Sequence, residues 1–205
     1  MRSSITKASG PRWFCAAVTE LRDATENDLP AILAITNDAI ATSEAIWATS
    51  PRSLEERRGW MADRKAAGFP VIVAVEDGTI LGFASYGPFR VYEGYARTVE
   101  HSIYVARAAQ RKGIGRMLLE AITTHAEHAG MHVLIGAITA SNTASIALHR
   151  AAGFSESTPL PQMGFKFGRW LDLVFMYRLF DKDGHSGLMQ DTPSPDSDTS
   201  PPHPA

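Results

Sequence analysis

A glycine-rich basic turn, Gln110-Arg111-Lys112-Gly113-Ile114-Gly115, separates the run Ser102-Ile103-Tyr104-Val105 from the apolar Met117-Leu118-Leu119. The first run is β-branched and aromatic and predicts a strand, while the second opens an amphipathic helix. A strand, a glycine turn and a helix in that order aim unpaired backbone N–H groups and the positive end of a helix dipole at one point, which makes an anion site. Gly113 and Gly115 carry no Cβ, so a phosphate can approach the main chain, and Arg111, Lys112 and Arg116 add positive charge around it. A tight strand-to-helix turn also needs glycine for steric reasons, so the turn by itself leaves both readings open. There is no Gly-x-x-x-x-Gly-Lys-Ser/Thr and no Gly-x-Gly-x-x-Gly in an early βαβ unit, which sets aside two other phosphate loops. A diphosphate-bearing cofactor is the natural guest.

With 205 residues the chain can build one domain with a sizeable core. A formal net charge of −2 shows no global basic excess, so nucleic acid is not an expected partner and the cluster at 111–116 is the basic feature to explain. The single cysteine, Cys15, excludes an internal disulfide framework and suits a reducing cytoplasm. The apolar run Trp13–Val18 is too short to span a membrane. Residues 1–16 read as a flexible arm, 17–181 as the folded domain, and 182–205 as a disordered tail rich in Pro, Ser and Asp.

Within the domain, residues 17–22 predict a first strand, and Thr25 with Asp28 forms a capping box before a helix through Leu29, Ile32, Leu33 and Ile40. Ser53 caps a second helix that Gly68 and Pro70 end. Val71–Glu76 and Thr79–Gly87 are strands joined at Asp77-Gly78, the strongest hairpin signal in the chain. A strand over Thr98–Val105, the helix after the glycine turn, a strand over Val133–Thr139, a helix from Asn142 to Ala152 and a strand over Leu171–Phe180 complete the order. Four helices and six strands in the order β-α-α-β-β-β-α-β-α-β predict a mixed α/β sheet with helices on its faces.

That order resembles the layout of the GNAT N-acetyltransferase superfamily. Gln110-x-x-Gly113-x-Gly115 resembles the family's acetyl-CoA pyrophosphate motif, and Asn142-x-x-Ser145-x-x-Leu148-His149-x-x-x-Gly153-Phe154 its motif at the fifth strand and fourth helix. Three further blocks resemble the phosphinothricin and methionine sulfoximine acetyltransferase branch: Thr98–Val105, Ala84–Gly87 with Arg90 and Tyr92 beyond it, and Lys166–Asp172. The resemblance implies a mostly antiparallel central sheet with helices on both faces and a V-shaped splay between strands four and five. It also implies acetyl-CoA as co-substrate, no metal, a small amino acid analogue as acceptor, and a homodimer in which 166–170 reaches the neighbouring site.

Acetyl transfer to an amine needs a deprotonated nucleophile, a polarised thioester carbonyl and a proton for the thiolate. Glu100 is the candidate base, since a carboxylate inside an apolar strand is costly without a role or partner; a solvated edge position is its bland alternative. Alternation puts Glu100, Ser102 and Tyr104 on one face and His101, Ile103 and Val105 on the other, so His101 reads as a satisfied structural histidine. His149 stands where the branch resembled carries a candidate acid for the thiolate, and it could equally be a helix-surface residue. By resemblance, Ile103, Tyr104, Val105, Gln110, Arg111, Lys112, Gly113, Ile114, Gly115, Arg116, Asn142 and Ser145 hold the cofactor, although Asn142 also suits a plain N-cap.

Arg90, Val91, Tyr92, Glu100, His101 and Ser102 are implied to bind the acceptor, with the Arg90 fork suited to a carboxylate. Arg90 could also be an ordinary loop arginine, and Trp170 simply core; Glu44, Trp47 and Trp60 read as packing or surface. The expected activity is direct acetyl transfer to the α-amine of methionine sulfoximine, methionine sulfone or phosphinothricin. A protein N-terminus, a polyamine, or a non-catalytic CoA-binding role are the alternatives.

Overall fold

The computed structural model describes residues 18–180. The sheet contains β1 (Glu20–Asp23), β2 (Val71–Glu76), β3 (Thr79–Pro88), β4 (Thr98–Val105), β5 (Val133–Thr139), β6 (Ser155–Glu156), β7 (Leu160–Lys166) and β8 (Arg169–Leu179). Among the described residues four α-helices accompany it: α1 (Leu29–Thr42), α2 (Leu54–Ala66), α3 (Ile114–His128) and α4 (Thr143–Ala151). The strand order is β1-β2-β3-β4-β5-β8-β6, with β7 paired to β8. Every pairing is antiparallel except β4 with β5. The expected arm and tail lie outside the described residues.

Local signals account for most boundaries. The β2–β3 turn places Asp77 and Gly78 at φ 48° and 74°, the doubly left-handed geometry that an Asp-Gly pair favours. Ser53 Oγ accepts from the Glu56 N–H at 3.1 Å while the Glu56 carboxylate accepts from the Ser53 N–H at 2.6 Å, a reciprocal box that starts α2. Two strands, β6 and β7, were not predicted. Pro159, Pro161 and Gly164 argue against a strand there, and β7 is accordingly an edge strand with a register shift between Leu160 and Gly164. Six strands become eight.

Apolar residues on the two faces of the sheet build two cores. Val99, Leu118, Leu119, Ile122, Leu134, Val174 and Met176 pack on the α3 and α4 side. Leu29, Ile32, Met61, Val73 and Phe83 pack on the α1 and α2 side, with Trp60 edge-on to Phe83. Each such buried side chain contributes roughly 1.5–3 kcal/mol of burial free energy.

The start of α1 also carries a part-buried charge network around Asp28. The Asp28 carboxylate accepts from the Thr25 N–H at 2.7 Å and from the Arg22 guanidinium at 2.7 and 2.8 Å. The Arg22 guanidinium, ahead of the Thr25 groups, holds the Asp28 carboxyl at about 2, below its ordinary value. Asp28→Ala is expected to cost about 2 kcal/mol in urea denaturation at neutral pH. A depressed carboxyl stabilises fully above the unfolded pKa of about 4 and loses that contribution as pH falls through its folded value. The difference between wild type and variant therefore shrinks below about pH 4; a difference independent of pH would show that the charge plays no part.

Candidate active site

The parallel ladder between β4 and β5 runs from Thr98 opposite Val133 to His101 opposite Gly136 and then stops, although both strands continue. Beyond that point they splay, as the resemblance implied. On β4 the Phe89 N–H donates to the Thr98 carbonyl and the Ala106 N–H to the Leu81 carbonyl, so even-numbered residues turn their main-chain groups toward β3. Odd-numbered residues face the other way. Ile103 and Val105 thus present main-chain groups to the gap without a strand partner, which is the form of site a ligand can complete. Tyr104 faces β3 with its main chain and lines the gap with its side chain.

The glycine turn lies beside this gap. Arg111 and Gly113 take left-handed conformations at φ 61° and 84°, and Gly113 starts α3 with no side chain capping the helix. The two readings of the turn now separate by residue. Gly113 is demanded by its backbone angle. Gly115 is not: its φ is outside the left-handed region, and an added Cβ would meet Leu148 at an ordinary 3.6 Å. Steric need among the described residues therefore does not account for glycine at 115.

Two depressions meet at the splay. A cavity of about 500 Å³ lies on the Glu100 side, lined by Glu100, Ser102, Arg90, Trp47, Met163 and Phe175 among others. A groove of about 980 Å³ runs past Val105, Gln110, Arg111, Gly115 and Leu148. Ile103, Tyr104, Asn142, Ser145 and His149 line both. Burial raises the Glu100 carboxyl above its ordinary value, and the Arg90 charge partly offsets that rise. Glu100 is therefore not a freely solvated edge glutamate. The expected acceptor residues do not all arrive: Val91 and Tyr92 are 92% and 71% exposed, because the chain leaves β3 at Pro88 and turns outward, and neither lines the cavity.

His149 is 3% exposed, so it is not a helix-surface histidine. Its Nδ1 lies 2.7 Å from the Ser145 carbonyl, which can only accept, so Nδ1 carries the proton. Its Nε2, 3.2 Å from His101 Nε2, then accepts from His101. The two rings stack at 5.0 Å and 9°, with Phe154 edge-on to both. Burial, and then the neighbouring His149, pushes His101 down to about 3; burial also lowers His149. Both rings are neutral near pH 7, and His101 Nδ1 is buried without a partner, so His101 is only half satisfied. Asn142 does act as an N-cap, its Oδ1 accepting from the Ser145 N–H at 3.1 Å.

The cavity wall contains residues that sequence reasoning assigned elsewhere or passed over. Trp47 lines the cavity and donates its indole N–H to Thr139 Oγ1 at 2.9 Å. Ile46, Leu160 and Met163 join it from a loop and the unpredicted edge strand β7, and Phe175 joins it from β8. Trp170 is 60% exposed against Phe165 rather than core. Among the described residues no helix is long and apolar enough to cross a membrane.

Comparison with known proteins matches the acetyltransferase (GNAT) family over residues 32–154. The chain is 49% identical over 157 residues to the L-methionine sulfoximine/L-methionine sulfone acetyltransferase of Pseudomonas aeruginosa, covering 76% of this chain and 91% of that protein. Among solved structures it is similar to a ribosomal-protein-alanine N-acetyltransferase from Brucella melitensis, at 51% identity, TM-score 0.77, and 78% and 99% coverage of the two chains. A Salmonella typhimurium protein solved with its cofactor acetyl-CoA matches at 40% identity, TM-score 0.80, and 83% and 98% coverage.

Proposed function

The chain belongs to the acetyltransferase (GNAT) family and is an acetyl-CoA-dependent N-acetyltransferase, and from that premise we propose that its acceptor is the α-amine of a small amino acid analogue of the methionine sulfoximine or methionine sulfone type. The observation that carries this reading is a cavity with one half-buried carboxylate, Glu100, one guanidinium, Arg90, and an otherwise largely apolar wall. An α-amino acid presents a cation, an anion and a side chain. Glu100 suits the ammonium, the Arg90 fork suits the carboxylate, and Trp47, Met163 and Phe175 suit an uncharged side chain of methionine length.

In this reading ionised Glu100 takes a proton from the acceptor ammonium, directly or through water. The free amine attacks the thioester carbonyl; an N–C bond forms, the C–S bond breaks, the nitrogen's second proton passes to the departing thiolate, and Glu100 returns the first to solvent. Main-chain N–H groups at Ile103 and Val105 meet the charge developing on the carbonyl oxygen. The turn at 110–116, with Asn142 and Ser145, holds the acetyl donor, which supplies the activated acyl group. The His149 role implied by resemblance needs a second proton on a ring that burial keeps neutral, so we assign His149 and His101 to the floor beneath Gly136. Exposed Phe165, Phe167 and Trp170 support the homodimer, and the lone cysteine supports a cytoplasmic setting.

A thiol-release assay with acetyl-CoA tests the acceptor. Methionine sulfoximine and methionine sulfone should turn over with kcat/KM at least about 100-fold above spermidine and an alanine-initiated peptide. Phosphinothricin, whose extra negative charge meets the same apolar wall, should rank below both. A panel in which the peptide ranks first would replace this reading with a protein N-terminal activity.

A further inference from the structure

The loop after α1 forms the wall that the acceptor cavity and the cofactor groove share. Ser43 and Glu44 face the groove, Ile46 and Trp47 the cavity, and Ala45 both. No helix or strand covers residues 43–53, so the loop's position must come from contacts made elsewhere. Besides a local Ser43–Ala45 bond and a reciprocal Asn37–Arg52 pair at its far end, the loop's contacts come from parts of the chain distant in sequence. Lys166 Nζ donates to the Ser43 and Ile46 carbonyls, each at 2.7 Å, and Thr139 Oγ1 donates to the Glu44 carbonyl at 2.6 Å. The Trp47 indole N–H closes on the same Thr139 oxygen, and Ser141 and Arg169 hold the Glu44 carboxylate.

Lys166 is 3% exposed. Burying an ammonium in a position that only needed filling would be strongly unfavourable, and a methionine would serve better there. Its charged head is instead surrounded: two carbonyls accept from it and the Phe167 ring lies 4.7 Å away. Gly164, two residues before it, lets the loop pack down, since a Cβ there would come within 2.3 Å of the Trp47 ring.

We propose that Lys166 is a positioning residue, which with Thr139 latches the 43–47 loop against the β7–β8 hairpin and the end of β5 so that the acceptor cavity is held open in register with the splay. It touches neither co-substrate in this role; it acts through Ile46 and Trp47. The kinetic part of this inference rests on the acceptor reading above, while the latch itself does not.

Hydrogen–deuterium exchange and steady-state kinetics on the full chain test it together. Lys166→Met keeps the side-chain length and removes the donor. Exchange of the 43–47 amides should rise about tenfold or more, with the α3 and β5 peptides unchanged. Acceptor KM should rise about tenfold, with kcat and acetyl-CoA KM changed by less than about threefold. Thr139→Val, which leaves Lys166 in place, should give the same local exchange and guards against a variant that fails to fold. Unchanged exchange in both variants, or faster exchange with unaltered acceptor KM, overturns the proposal. If the wild-type enzyme turned over neither methionine sulfoximine nor methionine sulfone, the acceptor reading would fail by itself, and exchange would still decide the latch.

Discussion

Glu100→Gln is expected to lower kcat for the acceptor by about 10²- to 10⁴-fold, the range that a positioned general base supplies. Glutamine keeps the shape and a hydrogen-bonding oxygen but cannot take the proton. Glu100 lines the acceptor cavity and not the cofactor groove, so the dissociation constant for acetyl-CoA should stay within about twofold. The sign of the pH dependence follows from burial. The ionised carboxylate is the active form, and burial raises its pKa despite the Arg90 charge. Wild-type kcat/KM should therefore fall as pH drops through a pKa raised above that of an ordinary glutamate, and the variant should lose that limb.

The same raised pKa has a consequence for stability. A carboxyl whose folded pKa lies above its unfolded value stabilises the fold at low pH and loses that contribution as pH rises through the folded pKa. Near neutral pH the charged Glu100 is thus a burden, and the glutamine variant should melt at or above the wild-type temperature. Lost activity in a protein at least as stable separates removal of the base from misfolding. Full activity in the variant would end the assignment.

Gly136→Ala is expected to destabilise the protein by about 2–3 kcal/mol through overpacking. An added Cβ would stand 2.7 Å from His101 Nε2, 2.9 Å from its Cε1 and 3.2 Å from His149 Nε2. Neither ring has room to retreat. His149 is tied to the Ser145 carbonyl, and Phe154 closes on both rings at 5.9 and 5.2 Å. For a domain of this size the melting temperature should fall by roughly 5–10 °C in calorimetry. Gly136 also lines the acceptor cavity at the last rung of the β4–β5 ladder, so acceptor KM should rise as well. His101→Ala in the same chain should relieve the clash, giving a double variant less destabilised than the two single losses combined. A Gly136→Ala variant within about 0.5 kcal/mol of wild type would contradict the packing described beneath the splay.

How much of this was legible depends on the range over which each interaction acts. The Asp77-Gly78 turn and the Ser53 and Asn142 caps are set by residues within one turn of chain, and the sequence predicts all of them. Glu100 was legible because a carboxylate inside an apolar strand breaks the local pattern. The β7 strand was not, because Pro161 and Gly164 argue against a strand that exists only by pairing with β8. The resemblance implied Val91 and Tyr92 in the acceptor site, but the chain bends outward after β3 and carries them into solvent.

The sequence by itself determined the helices, six of the strands and the glycine turn, because periodicity, capping and glycine geometry are written in residues a few positions apart, and the resemblance of its motifs pointed to the family. Only the tertiary structure decided what surrounds the acceptor. The contact of Lys166 with Ser43 closes 123 residues of chain, and that of Thr139 with Glu44 closes 95. The neutral His101–His149 pair joins residues 48 apart. No local preference encodes which partners meet over such distances. They are selected by the packing of the whole sheet, and so the glycine turn proposed to hold the donor was readable in the chain while the wall of the Glu100 cavity had to be seen folded.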